Sequence, residues 1–383
     1  MKSYSFILFF SVVLIVYTLA HYYLYVRALQ AFSPQLTVKR WGTVFYVVLA
    51  SSFMIGMFME RMFPSVFNEI LYKIGTCWLA FLLYFVISLV LIDIVRMINH
   101  FFPFLPVLSQ QHKTIIGLVV IGFVTIVIVI GHINAKHIRV KHIPISIAKK
   151  VDGQKHISIL MASDLHLGAI IGKSWEEKFV NIVKKENPDL VLLCGDLIDG
   201  EIAPVIRNQL GKHMQEISAP LGVYAITGNH EYIGNIDKSL SYLHSININV
   251  LQDTVLTLPN GIQLAGRKDL HSQHAGNDNN PMQSLKTLLT GIDHSKPIIV
   301  MKHQPYQLDE AVDVQIDLHL SGHTHHGQLF PINLITNALF ELSYGYRQKG
   351  NTHFYVSSGF GTWGPGVRLG SRGEVVVFDI VFL

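Results

Sequence analysis

Four long apolar runs in the first third of the sequence constrain the fold more than any other feature. They cover residues 4–26, 41–60, 70–98 and 114–133. A helix rises about 1.5 Å per residue, so roughly 20 apolar residues cross the roughly 30 Å hydrocarbon core of a bilayer. The sequence therefore predicts a bundle of about four transmembrane helices within residues 1–135.

Composition excludes several other classes of protein. Charged residues make up 15% of the chain, against about 25% in typical soluble domains, and the deficit lies almost entirely before residue 135. The net charge of +4 is small and dispersed, so we expect no nucleic-acid partner. The 2 cysteines, Cys77 and Cys194, are too few for a disulfide framework or a cysteine-based zinc site.

Residues 136–383 have the pattern of a soluble α/β domain, in which strands and helices alternate first and hairpin-like strands follow. Residues 138–147 alternate between apolar and polar and predict an edge strand, where Pro144 is tolerated. Asn260-Gly261 predicts a two-residue hairpin turn, and residues 271–280 predict a polar loop. Two sheets covered by helices, an α/β/β/α sandwich, fit this order.

Polar side chains follow five of the apolar strands in this second part of the chain. Because the carboxyl ends of parallel strands meet at one edge of a sheet, we expect these side chains to converge there. The candidate metal ligands are Asp164, His166, Asp196, Asn229, His303, His323 and His325.

The residue types and spacings favour two cations. Positions two apart on an extended segment point to the same side, so Asp164 and His166 can reach one ion. Asp196 offers a carboxylate that can bridge two ions. Seven ligands sharing one carboxylate make two four-ligand sets with positions left open for water and substrate. Mixed imidazole and carboxylate ligands predict divalent transition metals, Mn, Fe or Zn.

These motifs together resemble the signature of the calcineurin-like metallophosphoesterase superfamily: Asp-x-His, Gly-Asp-x-x-Asp, Gly-Asn-His-Glu, a single His after a strand, and Gly-His-x-His. The resemblance covers residues 137–383. Residues 163–168 and the glycine-rich residues 359–370 resemble a bacterial membrane-associated branch near UDP-diacylglucosamine hydrolases. The resemblance implies one metal on Asp164, His166, Asp196 and His325, and a second on Asp196, Asn229, His303 and His323.

The resemblance further implies that His230 is the catalytic histidine and that Asp199 orients it. An N-cap for a helix at residues 201–216 is the alternative role for Asp199. We expect Glu231 to be a local structural group rather than a ligand. Arg368 is expected to be a solvated surface residue, with a phosphate clamp as the alternative.

The expected function is that of a membrane-anchored phosphoesterase that hydrolyses a phosphodiester or pyrophosphate bond. The spans would hold its site beside the bilayer, which favours a lipid-linked substrate. A phosphatase for soluble phosphoesters and a non-catalytic membrane scaffold of the same fold are the alternatives. The sequence leaves protein partners open.

The orientation of the spans follows from basic residues near their ends. With four spans, seven of these residues share one side with the second part of the chain, and five lie on the other. The count predicts a multi-pass protein of the cytoplasmic membrane with a cytoplasmic catalytic domain. The seven are Lys2, Arg61, Lys136, Arg139, Lys141, Lys149 and Lys150, and the five are Arg27, Lys39, Arg40, Arg96 and Lys113.

Overall fold

The computed structural model describes residues 3–33, 35–153, 155–274 and 282–383. The chain divides into two compact units, Met1–Ile133 and Asn134–Leu383. Lys2 of the orientation count and most of the predicted polar loop, residues 275–280, lie outside the described residues. The predicted assignment of residues 1–135 and 136–383 as separate domains stays a prediction.

The first unit contains four long apolar helices, as the sequence predicts, although residues 134–136 of the fourth belong to the second unit. All four are long and apolar enough to cross a membrane. The second and third approach closely, because a Cβ on Gly75 would fall 2.3 Å from Phe53 Cα, and such small residues let membrane helices pack backbone to backbone. The helices are α1 (Ser3–Phe32), α2 (Leu36–Met62), α3 (Val66–Phe101) and α4 (Gln110–Lys136).

The second unit is built on two six-stranded sheets. The first contains β1 (Arg139–Ile147), β12 (Glu374–Phe382), β2 (His156–Ala162), β3 (Leu190–Cys194), β4 (Val223–Ile226) and β5 (Asn249–Val250), in that order. Strands β2 to β5 are parallel to one another. β1 lies at the sheet edge and pairs with β12 in parallel, so the prediction of an edge strand with Pro144 is confirmed.

The second sheet is also mixed. Its order is β10 (Gly345–Lys349), β11 (Thr352–Val356), β9 (Leu318–Ser321), β8 (Ile298–Met301), β7 (Gln263–Gly266) and β6 (Thr254–Thr257). Strands β7, β8, β9 and β11 are parallel, while β6 and β10 are antiparallel to their neighbours. Both sheets thus direct several strands to a common carboxyl edge.

Helices cover the outer faces of the two sheets, and the core between the sheets is apolar. Ile159 and Leu192 of the first sheet pack in one buried cluster with Ile299 and Leu320 of the second. The α/β/β/α prediction is therefore confirmed. The helices of this unit are α5 (Lys173–Glu186), α6 (Ala203–Arg207), α7 (Asn229–Ile233), α8 (Ile236–Ser245), α9 (Leu285–Leu288), α10 (Asp309–Asp313) and α11 (Ile332–Leu339), and short 3-10 helices cover Lys212–Glu216, Leu270–His274 and His325–Gly327.

Two local predictions need correction. The helix expected at residues 201–216 is interrupted after Arg207, because Gln209 and Gly211 have φ of +53° and +96° and cannot continue a helix. The hairpin around Asn260-Gly261 has a longer loop than two residues, since the last paired residues of its strands are Thr257 and Gln263. The sequence analysis also did not predict α11.

Candidate metal centre

The predicted ligands lie in the loops that follow parallel strands at the carboxyl edges of both sheets. Asp164 and His166 follow β2, Asp196 follows β3, and Asn229 follows β4. His303 follows β8, and His323 and His325 follow β9. The structure brings all seven predicted ligands, together with His230 and Asp199, into one connected cluster.

Left-handed backbone marks this cluster. Five of the seven predicted ligands have positive φ although they are not glycine, a conformation that L-residues rarely adopt. Such conformations persist only where the surrounding structure holds them, and they concentrate at functional sites. The five residues are Asp164, His166, Asp196, His323 and His325, with φ between 47° and 74°.

One group of donor atoms gathers around Asp164. Its Oδ1 lies 3.3 Å from His325 Nε2 and 4.0 Å from His166 Nε2. The two imidazole Nε2 atoms are 3.0 Å apart. Asp164, His166 and His325 are all buried, with ligand atoms within 4.8 Å of one another, so one cation can be reached by all three.

A second group gathers around Asp196. Its Oδ2 lies 3.1 Å from His303 Nε2 and also 3.9 Å from His166 Nε2 in the first group. His323 completes the set of nearby donors, and its Nδ1 lies 2.8 Å from Asn229 Oδ1. Asp196 therefore lies between the two groups.

The backbone fixes one ring nitrogen of His303, a predicted ligand. Its Nδ1 lies 2.8 Å from the carbonyl oxygen of Cys194. A backbone carbonyl at that nitrogen accepts the ring N–H and leaves the lone pair on Nε2, as is usual for metal-bound histidines. Among the described residues, this buried Nε2 has no partner with hydrogen-bond geometry, although Asp196 Oδ2 lies 3.1 Å away. A buried polar atom without a partner is costly unless something binds it.

The charges in the cluster suit a cation. Burial lowers the pKa of His323 and of His325 to about 4, which keeps both rings neutral and able to bind metal. Burial also disfavours charge on His303, but Asp196 and Asp164 raise its pKa well above the usual value. The two buried carboxylates thus attract positive charge to the space between them, because a buried anion without a counter-charge is unstable.

His230 lies at the margin of the cluster, with its side chain 23% exposed. Asp199 Oδ1 lies 3.1 Å from His230 Nδ1 and 3.2 Å from His166 Nδ1. Burial lowers the pKa of His230, but the negative charges of Asp196 and Asp199 raise it to about 9. The N-cap of α6 is Ile202 rather than Asp199, so the alternative N-cap role is wrong.

Glu231 joins two of the loops that present ligands. It is fully buried, and its carboxylate accepts hydrogen bonds from the backbone N–H groups of Ile198 (2.9 Å) and Gly228 (2.7 Å). Burial raises its pKa to about 7. These contacts agree with the expected structural role.

Two glycines allow this close packing. A Cβ on Gly228 would fall 2.2 Å from Asp196 Oδ1, and one on Gly322 would fall 2.4 Å from Asp164 Oδ2. Neither distance leaves room for a side-chain atom. Both glycines are therefore required by the space that the two carboxylates occupy.

The sequence analysis missed Asp269 and Gln304. Asp269 is buried and lies after β7, and its two carboxylate oxygens each accept from Gln304 Nε2 at 2.9 Å. Its negative charge contributes to the raised pKa of His303. The signal was available, because Asp269 also follows an apolar strand of the second sheet, but it belongs to none of the recognised motifs.

Arg368 is buried rather than exposed, so the expectation of a solvated surface arginine is wrong. Its Nη2 donates to the carbonyl oxygens of Ser358 (2.8 Å) and Gly361 (2.5 Å) and lies 3.3 Å from His325 Nδ1. The guanidinium thus holds the loop after β11 against a predicted ligand. This use of its donors does not support the phosphate clamp.

The donor set fits divalent metal ions. Imidazole nitrogens and carboxylate oxygens converge on a buried space, an orphaned Nε2 points into it, and the carboxylates require positive charge there. The fold and this site together define a candidate metal centre at the carboxyl edges of an α/β/β/α sandwich.

Comparison with known proteins gives the family. Residues 157–327 match the family model for calcineurin-like phosphoesterases. An uncharacterized metallophosphoesterase of Aquifex aeolicus is 32% identical over 61% of this chain and 88% of its own length. The chain therefore belongs to the calcineurin-like metallophosphoesterases.

Other relatives are longer than the matched region. An uncharacterized metallophosphoesterase of Helicobacter pylori is 33% identical over 59% of this chain and 60% of its own length. A transmembrane protein with metallophosphoesterase domain from Danio rerio is 31% identical over 60% of this chain and 54% of its own. With its four apolar helices, the present chain is a membrane protein. The likeness to UDP-diacylglucosamine hydrolases stays a prediction.

Replacement of Gly228 by alanine tests the packing around Asp196. We expect Gly228→Ala to displace the Asp196 carboxylate and to reduce the metal content of the purified protein. Gly172→Ala is the matched control, since Gly172 has nearly the same extended backbone (φ −100°, against −109° for Gly228) and nothing within 4 Å of an added Cβ. Elemental analysis after dialysis measures the difference, and equal metal content in the two variants would contradict this account.

Proposed function

We propose that this protein hydrolyses a phosphodiester or pyrophosphate bond in a lipid-linked substrate, with two divalent cations of the Mn, Fe or Zn type. The observation that carries the proposal is the pair of donor groups joined by Asp196, with His230 at their exposed margin. The family supports phosphoester hydrolysis as the reaction. The membrane helices support a lipid-linked substrate.

The two donor groups are the proposed cation sites. The first cation would be held by Asp164, His166, Asp196 and His325, and the second by Asp196, Asn229, His303 and His323. When bound, such a pair of cations supplies Lewis acidity to the phosphate and lowers the pKa of an attacking water. The protein itself contributes orientation, because the left-handed loops and buried contacts fix the ligands before substrate binds.

His230 is the proposed general acid. The carboxylate of Asp199 at Nδ1 holds the proton on that nitrogen and leaves Nε2 as the nitrogen that can donate to a substrate. The backbone N–H of His230 donates to Asp196 Oδ1 at 2.8 Å, which ties the position of the ring to the shared carboxylate. With its pKa raised to about 9, the ring is protonated at neutral pH and can donate a proton to the leaving oxygen.

A hydrolysis panel with added Mn tests the reaction and the role of His230 together. The panel comprises nitrophenyl phosphomonoesters and phosphodiesters, nucleotide-linked lipids and isoprenoid phosphates, and we expect turnover of a lipid-linked diester or pyrophosphate. His230→Ala should lower turnover with metal content unchanged, and the loss should be larger for alkoxide than for nitrophenolate leaving groups, because a poor leaving group needs the proton.

Two results of the panel would count against the proposal. Turnover of soluble monoesters alone would favour the soluble-substrate phosphatase. An equal loss for both kinds of leaving group would assign His230 to positioning rather than to proton transfer.

We also propose that the second unit, Asn134–Leu383, which we call the catalytic unit, faces the cytoplasm. Of the basic residues on that side of the predicted topology, Lys149 pairs with Asp317 (2.7 Å) and Lys141 lies over the ring of Tyr344. Lys136 and Arg139 are exposed where the chain enters the second unit. Each exposed basic residue near an anionic leaflet contributes about 1 kcal/mol to attraction.

Reporter fusions at the C-terminus test the orientation. Because residue 383 follows the last span with no further apolar helix in the described chain, a C-terminal fluorescent protein should fold and fluoresce in the cytoplasm. A C-terminal alkaline phosphatase should be inactive in the same cells. Active alkaline phosphatase with a dark fluorescent protein would reverse the orientation.

A further inference from the structure

The helix α11 presents its apolar side chains to the exterior of the catalytic unit. None of its eight residues is buried. Together with flanking residues it forms a surface that we call the apolar rim, made of Phe330, Leu334, Ile335, Leu339 and Trp363. These five side chains are between 46% and 68% exposed. They are five of the eleven exposed large hydrophobic residues in the described part of the chain from residue 134 onward, and such clustering marks an interaction site.

The apolar rim packs against residues of the metal centre at both ends of α11. At the start, a Cβ on Gly327 would meet Asn333 N at 2.3 Å, and Gly327 lies two residues after His325. At the end, the ring of Phe340 packs 6.1 Å from the ring of His323. Trp363 is tied to the same region, because its backbone N–H and carbonyl both bond the Gln328 side chain. The rim therefore borders the site.

The apolar rim also lies beside the point where the chain enters the catalytic unit. Asn134 Nδ2 donates to the carbonyl oxygens of Arg368 and Ser371 at 2.9 Å each. Between these two residues, the Leu369 carbonyl accepts from Phe330 N at 2.7 Å. A residue of the rim is thus one loop away from Asn134, the first residue of the second unit.

Charge around the entry point suits a lipid surface. Lys136, Arg139 and Arg372 are exposed there, and Arg139 N donates to the carbonyl oxygen of Gly373 at 2.9 Å. A bilayer boundary has two layers, anionic headgroups and hydrocarbon. The exposed basic residues match the headgroups, and the exposed apolar helix with its adjacent tryptophan matches the hydrocarbon.

We infer that the apolar rim inserts into the headgroup–acyl boundary of the bilayer and holds the metal centre against the membrane surface. The occupant of the rim is lipid rather than a protein partner or a second copy of this chain. A consequence, which rests on the proposed function, is that the scissile phosphate reaches the site from the lipid–water boundary.

Depth-dependent quenching in the full-length protein tests the inference without any hydrolysis. A bimane label is placed at Leu334→Cys, and separately at Leu339→Cys, in a chain whose exposed Cys77 is replaced by serine. Cys194 is buried and stays unlabelled. The proteins are reconstituted in phosphatidylcholine–phosphatidylglycerol vesicles that contain doxyl-labelled phosphatidylcholine.

Two matched positions calibrate the result. Native Cys77, exposed on α3, reports a position within a membrane helix. Ser241→Cys in the Cys77→Ser chain reports an exposed position on α8, which packs beside β5 at the sheet edge opposite β1.

The inference predicts a loss of bimane fluorescence at position 334 or 339 at least half as large as that at Cys77. It predicts almost no loss at position 241. Quenching at both rim positions no greater than at position 241 would overturn the inference, whether the rim then lies in water or is covered by protein. Because the readout does not depend on turnover, failure of the proposed reaction would leave it unaffected.

Discussion

The arrangement of the metal centre depends on the contacts of one buried carboxylate, that of Asp196. Its Oδ2 lies between His303 of one donor group and His166 of the other. Its Oδ1 accepts the backbone N–H of His230. An ionised carboxylate that is only 2% exposed needs positive charge and hydrogen-bond donors around it. The strands of both sheets end near Asp196, so the residues that follow them can provide these groups. The absence of a side chain at Gly228 leaves the space that the Asp196 carboxylate occupies.

The strand-end residues could be predicted from the sequence because their placement is a consequence of topology. Parallel strands end at one edge, so Asp164, Asp196 and Asn229 had to converge once β2, β3 and β4 were recognised. The apolar runs of the first unit were equally readable, because length and hydropathy alone decide whether a helix can cross a bilayer. The roles of the individual ligands stay predictions.

Other features depend on tertiary contacts that a sequence does not display. Arg368 is buried, and its Nη2 donates to three carbonyl oxygens of its own loop, those of Ser358, Gly359 and Gly361. No local sequence pattern predicts these contacts. The helix α11 was missed because its apolar side chains face away from the core, so they give no sign of a core-facing stripe. The break after Arg207 was readable in principle, since Gly211 lies within the expected helix.

The central claim is that two divalent cations occupy the paired donor groups. Elemental analysis of the full-length protein, purified with Mn and dialysed mildly, tests it most directly. The account predicts about two metal ions per chain, one for each donor group. It also predicts that the Asp196→Asn variant loses most of both ions, because Asp196 contributes to both groups. The claim would be contradicted by a folded protein that holds no metal and shows no affinity for Mn or Zn. It would also be contradicted by an Asp196→Asn variant that retains both ions.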